Sequence, residues 1–293
     1  NVTGGTMKVS ILFDVDYLPG DFSGISQPTI DAMRAGSDYI KTYFADSSYA
    51  KRFATYQNTT SNDGPVITFI NVHKYDVSRR NTLLGLFWER METGTLYTPY
   101  VITDDMDGNL YAMDSTYRQR VSAVTSLLYP FETGISGPNR NLTEADVASR
   151  FTTYQNWADL NSSVQSVPGV CPGANLRPRD NLSRIVPRNL DGYEDGSLLK
   201  CMLKYVDPIL SDGDIFIVNS WNGWHNDTHV ELCGGEDSIS PSSVTEGYFY
   251  SAHGYKFINI IGSFLSTNYV GQSEEEHKND HSPEATNSAN LSN

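Results

Sequence analysis

The sequence predicts an α/β protein of the (β/α)8-type (TIM) barrel class. Short apolar runs alternate with amphipathic stretches of about 10 to 20 residues, the pattern of βαβ units and a parallel sheet. The C-terminal ends of those runs carry polar clusters, where barrel enzymes place their chemistry. After the first run the chain reads VDYLPGDFSG rather than G-x-G-x-x-G, which speaks against the rival doubly wound nucleotide-binding sheet. A length of 293 residues suits one such domain.

The elements follow in order. Residues 8–13 (KVSILF) read as a strand that runs into Asp14 and Asp16. Residues 28–44 read as a helix, with Ile30, Met33, Tyr39, Ile40 and Tyr43 near helical spacing. Residues 47–56 read as a second, short helix. Residues 65–72 (PVITFINV) form a strand whose end presents Asn71, His73 and Tyr75. Asp76 or Ser78 caps a helix that runs to about Met91. A strand over 99–103 ends in Asp104 and Asp105, and one over 122–128 leads to Tyr129. Thr143 caps a helix that carries Glu144 in its first turn and continues to about Leu160. A strand over 164–170 precedes Cys171-Pro172-Gly173, and residues 193–210 hold a helix. Turn residues Ser211, Asp212 and Gly213 lead into a buried strand over 215–218 (IFIV), and residues 242–265 look like one long apolar helix.

These runs supply about six strands, two short of the eight in a closed barrel. The first begins at residue 8, so a barrel domain over 1–270 is expected to lack its N-terminal strands or to be incomplete. An open edge would expose unpaired backbone groups and invite association, although the sequence sets no oligomeric state. The polar tail over 271–293 has almost no apolar residues and is expected to be disordered.

A formal charge of −14 and a pI near 4.7 argue against nucleic acid and anionic membranes as partners. No apolar stretch reaches the roughly 18 residues of a membrane span. Seven N-x-S/T acceptors, at Asn1, Asn58, Asn141, Asn161, Asn181, Asn226 and Asn290, lean toward a glycoprotein of the secretory pathway: Golgi lumen, cell surface or exterior. The sequence opens at Asn1 inside a polar segment, so a signal peptide is expected either to have been removed or to lie in a part of the gene product ahead of this start. Of the three cysteines, Cys171 and Cys201 could close a disulfide loop of about 30 residues, worth about 3 kcal/mol. No motif marks a cysteine nucleophile. No paired Cys or His spacing occurs outside the tail, where His277 and His281 lie, so no metal and no cofactor is expected.

The segment IFIVNSWNGWHNDTHVE, residues 215–231, is the most informative. A short apolar strand passes into Trp221, Asn222, Trp224, His225, Asp227 and Glu231. Indole faces stack on the apolar side of a pyranose, while amides, imidazoles and carboxylates bond its hydroxyls. That density of such side chains past a strand end suits a glycan. The 18 tyrosines add flat, hydroxyl-tipped surface of the same kind.

Two segments together resemble glycoside hydrolase family 99, the endo-α-mannosidases, and related bacterial domains linked to polysaccharide synthesis. Residues 167–205 (VPGVCPGANLRPRDNLSRIVPRNLDGYEDGSLLKCMLKY) look like the family's strand, Pro-Gly turn, arginine loop and Gly-Tyr entry into a helix. Residues 219–231 (NSWNGWHNDTHVE) are similar to its Asn-Trp-Asn-Glu-Trp-His-Glu signature, which closes with threonine and glutamate. The resemblance covers roughly residues 8–265. It implies a barrel that binds or hydrolyses α-linked glycans.

The departures bear on catalysis. The family's two catalytic glutamates fall on Gly223 and Asn226, neither of which exchanges a proton. Family-type activity is therefore expected to be weakened or lost. Asn226 also opens an acceptor sequon, and a glycan there would stand where the acid should be. The candidate replacement carboxylates are Asp227, Glu231, Asp14 and Asp16. Paired carboxylates need to converge within about 5–9 Å. Candidate sugar contacts are Trp221, Asn222, Trp224, His225, His73, Tyr75, Tyr129 and Asp104. His225 keeps the family's histidine position, and Arg177 and Arg188 match family arginines that would hold loops. The function is then a carbohydrate-active enzyme with rearranged carboxylates, a non-catalytic glycan- or protein-binding relative, or a synthesis-associated protein.

Overall fold

Five parallel strands build the first half of the fold in a computed structural model of the chain. It describes residues 8, 10–20, 23–45, 55–57, 63–91, 98–104, 115–125, 142–160, 164–175, 185–210, 214–220, 230 and 253–266. There are two compact units, residues 1–128 with 152–169, and residues 129–151 with 170–293. The tail over 271–293 lies outside the described residues.

In the first unit, β1 (Ile11–Asp14) opens the sheet and α1 (Gln27–Ala45) follows. Next come β2 (Thr55–Gln57), β3 (Asp63–Ile70), α2 (Val77–Met91) and β4 (Tyr100–Thr103). The one-turn α3 (Ser115–Arg118) precedes β5 (Ala123–Thr125), and β6 (Gln165–Val167) completes the series. The strand order is β1-β3-β4-β5-β6, all parallel, with β2 antiparallel on β3. Each parallel strand is added beside its predecessor. Barrel sheets share that sequential order, whereas a doubly wound sheet reverses direction at its switch point. The sheet and its helices bear out the α/β expectation, and five parallel strands are the extent of that wall among the described residues.

The core explains why these runs are strands. Tyr100, Val101, Ile102 and Thr103 are all buried, as are residues 66–70. A parallel strand is covered on both faces, so it reads as a continuous apolar run. Phe13, Phe69 and Phe87 form a chain of ring contacts at 5.3 and 5.0 Å that ties β1 and β3 to α2. Helix α1 approaches β1 at Gly36, where a Cβ would stand 2.6 Å from the Phe13 ring. Asp76, not Ser78, caps α2, accepting the Arg79 N–H at 2.9 Å.

Two expectations change here. Residues 55–56 belong to a strand rather than a short helix, because Thr55 and Tyr56 pair with Pro65 and Gly64 on an N-terminal extension of β3. Residues 46–54 lie outside the described residues. The strand expected over 164–170 is divided by Pro168, which has no N–H to give a ladder, into β6 and the short β7 (Gly169–Val170).

The second unit holds the start of α4 (Glu144–Leu160), β8 (Ala174–Asn175), β9 (Ile185–Val186), α5 (Ser197–Val206), β10 (Ile217–Val218) and α6 (Lys256–Ser266). Thr143 caps α4 reciprocally, with its N–H and hydroxyl on the Asp146 carboxylate at 3.0 and 2.8 Å. Glu144 takes the Lys204 ammonium at 2.7 Å and the Tyr205 hydroxyl at 3.1 Å. The turn into α5 is strapped down. The Arg188 carbonyl accepts the Gly196 and Leu198 N–H groups, and Ser197 Oγ accepts the Leu190 N–H. Arg188 is buried and lies over the Phe257 ring, 5.5 Å from its centre.

Three further expectations are corrected in this unit. Cys171 is a free thiol, so the 171–201 bridge does not form; burial pushes the Cys171 thiol up to about 12 and leaves it inert. β10 is half-buried rather than buried. Within the described part of the apolar stretch, the helix begins only at Lys256, because Gly254 sits in the left-handed region at φ +51.

Two predictions follow from these cores. Phe69 is fully buried between two rings, so Phe69→Ala should cost about 3–5 kcal/mol in urea unfolding. A loss below about 1 kcal/mol would contradict the packing. His253 is buried against Phe257, and burial first, then the Arg188 charge, holds its ring below the ordinary 6.5; Asp195 acts in the opposite sense and Lys256 in the same one. Below pH 6.5 the unfolded chain binds a proton that the folded chain refuses, so stability falls as pH drops toward the lowered value. His253→Phe should flatten that part of the curve of urea midpoint against pH; an unchanged slope from pH 7 to 5 contradicts the assignment.

Candidate functional site

The sheet register gathers three polar residues at the C-terminal ends of neighbouring strands. Asp14 pairs with Ile70, and Phe69 pairs with Thr103, so Asp14 and Asp104 stand level with Ile70 and Asn71 comes one residue further on. Each then starts or anchors a tight turn. The Asp14 carboxylate accepts the Asp16 N–H at 3.0 Å and caps the single 3-10 turn Val15–Tyr17. Asn71 adopts a left-handed conformation, φ 65 and ψ 12, which asparagine tolerates better than most residues. A second 3-10 turn, Val72–Lys74, follows it.

Asn71 joins the two carboxylates. Its side-chain amide donates to Asp14 Oδ1 at 2.8 Å, and its backbone N–H donates to Asp104 Oδ2. Asp104 also accepts the Val72 N–H at 3.0 Å, and His73 Nδ1 lies 3.1 Å from Oδ2. The Asp104 side chain is 2% exposed and that of His73 25%. Lys74 Nζ is ion-paired to Asp16 Oδ2 at the rim, with both side chains partly exposed. From the first turn of α2, Arg80 reaches back to the carbonyls of His73, at 2.7 Å, and Tyr75.

Of the residues singled out from the sequence, Asp14, Asp16, His73 and Asp104 thus stand in one network. Tyr75 is buried, 3% exposed. Trp221, Asn222, Trp224, His225, Asp227, Glu231, Tyr129, Asp105, Arg177, Gly223 and Asn226 lie outside the described residues. The two ends of the tryptophan peptide are described. Asn219 donates to the Val170 carbonyl at 2.8 Å, and Val230 N–H donates to the Ser220 carbonyl at 2.9 Å.

Asn71, Lys74 and Arg80 join the network without having been singled out as site residues. A left-handed asparagine after a strand is the one local signal that points to them. Among the described residues, no group of three His, Cys, Asp or Glu side chains is spaced to hold a metal ion. A groove of about 630 Å³ along α2, lined by Val77, Ser78, Asn81, Thr82, Gly85 and Arg120, contains none of the strand-end side chains. The network itself offers what hydroxyl recognition uses: a rim carboxylate, an ammonium and an imidazole held on rigid strand ends.

No protein-family profile matches the chain, and no curated protein does. Solved structures do share its fold. The GH99 endo-alpha-mannosidase from Bacteroides thetaiotaomicron superposes with a TM-score of 0.52 and 17% identity, over 91% of this chain and 67% of that one. Its complex with bis-tris-propane gives 0.50 and 18%, over 88% and 70%. A glycoside hydrolase-like protein gives 0.46 and 13%, over 85% and 65%. The chain spans about two thirds of the length of these structures. At such identities the likeness is one of fold: an α/β arrangement with a parallel sheet similar to that of the GH99 barrel enzymes.

The burial of the two aspartates separates their contributions. Asp104→Ala strips the acceptor from two backbone N–H groups and an imidazole, and should cost about 3 kcal/mol or more in urea unfolding. Asp16→Ala removes a rim ion pair and should cost less than about 1 kcal/mol. Equal losses would show that Asp104 is no anchor.

Proposed function

We propose that the chain is a carbohydrate-active protein of the endo-α-mannosidase type that recognises α-linked glycans, with family-type hydrolysis weakened or lost. The observation that carries this reading is the network of Asp14, Asp16, Asn71, His73, Lys74 and Asp104 at the C-terminal ends of consecutive parallel strands. Strand ends are where this kind of sheet binds its ligands. The fold shared with GH99 enzymes supports the choice of glycan, as does the tryptophan peptide, whose base is pinned by the Ser220–Val230 bond. The acidic charge and the absence of an apolar helix long enough to cross a membrane, among the described residues, fit a sugar ligand.

The weakened chemistry follows from what the carboxylates are doing. In the resemblance, the two catalytic glutamates fall on Gly223 and Asn226. The strand-end aspartates are tied into the architecture: Asp14 caps a turn, Asp104 is buried with both oxygens occupied, and Asp16 faces an ammonium. A general acid must meet the leaving oxygen while a second carboxylate serves the nucleophile or a water. A buried, saturated carboxylate does neither. The second reading is a carbohydrate-active enzyme whose carboxylates are rearranged rather than lost.

Incubation with α-mannan and with a glucosylated mannose oligosaccharide tests both. The parent chain should bind, seen by calorimetry, and release no sugar. Gly223→Glu with Asn226→Glu should raise turnover by at least about 100-fold, the lower bound for restoring general acid–base work. Hydrolysis by the parent would overturn the weakened-enzyme reading in favour of the second. Absence of binding to either glycan would overturn both.

A further inference from the structure

Helix α2 turns a polar face toward the turn that follows α3. Ser78, Thr82 and Gly85 recur at spacings of four and three, which sets them along one side of the helix. With Val77, Asn81 and Arg120 they line the groove of about 630 Å³, a volume in the range of small-molecule sites. Arg120 is the charged residue of that lining, and it is half-buried, while Ser78 and Thr82 are exposed.

The guanidinium is held firmly and yet has no anionic partner. Arg120 N–H donates to the Tyr117 carbonyl, and the Arg120 carbonyl accepts the Trp88 indole N–H, both at 2.9 Å. At the other end Nη1 donates to the Asn81 carbonyl on α2. Gly85 lets the head group lie against the helix, since a Cβ there would stand 3.1–3.3 Å from Nη1, Cζ and Nη2. In the same unit Arg34, Arg79 and Arg90 pair with Glu89, Asp76 and Asp38. Among the described residues Arg120 pairs with no carboxylate, and the Asn81 carbonyl is the one acceptor its side chain meets. The chain carries 35 Asp and Glu against 21 Lys and Arg, so carboxylates are not scarce; none is placed here. A guanidinium offers N–H groups on several sides of one plane, and most of them are left for the groove.

We propose that this groove binds a phosphate group, free or as the head of a small phosphoester, with Arg120 as its anchor. The planar fork of a guanidinium matches the oxygens of such an anion in a bidentate contact. A carboxylate spends both oxygens on that fork, whereas a phosphate keeps a third for a hydroxyl of the helix wall. Ser78 supplies that hydroxyl, since Thr82 Oγ1 already donates to the Ser78 carbonyl at 3.0 Å. From Gly85 to Ser78 the helix rises about 10 Å, room for an ester of a few carbons beyond the phosphate. The net charge of −14 repels anions at long range, so retention has to come from contacts inside the groove. The site is separate from the glycan reading, because the groove contains none of the strand-end side chains.

Calorimetry of the full chain with glycerol phosphate tests this, with inorganic phosphate, glycerol and acetate as companion probes. Glycerol phosphate should bind, glycerol should not, and acetate should bind about tenfold more weakly or worse. Arg120→Gln should weaken glycerol phosphate binding by about tenfold or more. Thr82→Asp brings a carboxylate into the same groove from an exposed helix position and should have the same effect, while Thr82→Asn should stay within about threefold of the parent. If Arg120→Gln does not fold, the two Thr82 variants decide the matter. Tighter binding of the ester than of inorganic phosphate supports the site and gives the rest of the groove to the ester's body. Equal or tighter binding of inorganic phosphate supports the site with the free ion as occupant. Acetate bound as tightly as either phosphate compound overturns the choice of phosphate. No binding of either phosphate compound, or binding that both Arg120→Gln and Thr82→Asp leave unchanged, overturns the site.

Discussion

The strand ends depend on one buried carboxylate. Asp104 leaves β4 beside β3, its own N–H bound to the Phe69 carbonyl, and turns its side chain onto the next two amides of the neighbouring strand's exit. That carboxylate makes the left-handed step at Asn71 tolerable, because the amides it would otherwise orphan have an acceptor. With Asn71 in place its side chain reaches Asp14, and the turn that follows presents His73 and Lys74. Without an acceptor at position 104, the backbone would have to find other partners for buried N–H groups, and the rim residues would lose their common frame.

The same economy bears on the proposed function. Carboxylates used as architecture are poor proton shuttles, since each proton taken up breaks bonds that hold a turn. Asp14 and Asp104 are built in this way. That use of the carboxylates is the ground for the proposal that the chain binds a glycan rather than cleaving it. A parallel wall with polar exits supports either task, so the fold alone does not choose between them.

Much of the wall was legible in the chain because strands covered on both faces leave uninterrupted apolar runs, as in VITFI and YVIT. Helix starts at Asp76 and Thr143 were legible for a similar reason: a short polar side chain before an amphipathic stretch has one obvious use. β2 was not, since a three-residue edge strand exists only by virtue of the partner it lies against. Nor was the start of α6, where hydropathy runs smoothly through a backbone reversal at Gly254. In the site, Asp14, Asp16, His73 and Asp104 stood out as polar residues after apolar runs. Their division of labour did not, because it is set by a single dihedral at Asn71 and by which side of the sheet edge is sealed from water. Nothing in the tryptophan-bearing peptide told that Ser220 and Val230, on either side of it, are hydrogen-bonded.

That closure carries an evolutionary consequence. A backbone bond between Ser220 and Val230 fixes both ends of the intervening stretch, and for a flexible segment closed in that way added length costs only the slow logarithmic growth of loop entropy. Strand β10 and the buried Val230 need not shift to accommodate it. Ser220 and Val230, the two described anchors, are the positions at which the scaffold would feel a substitution.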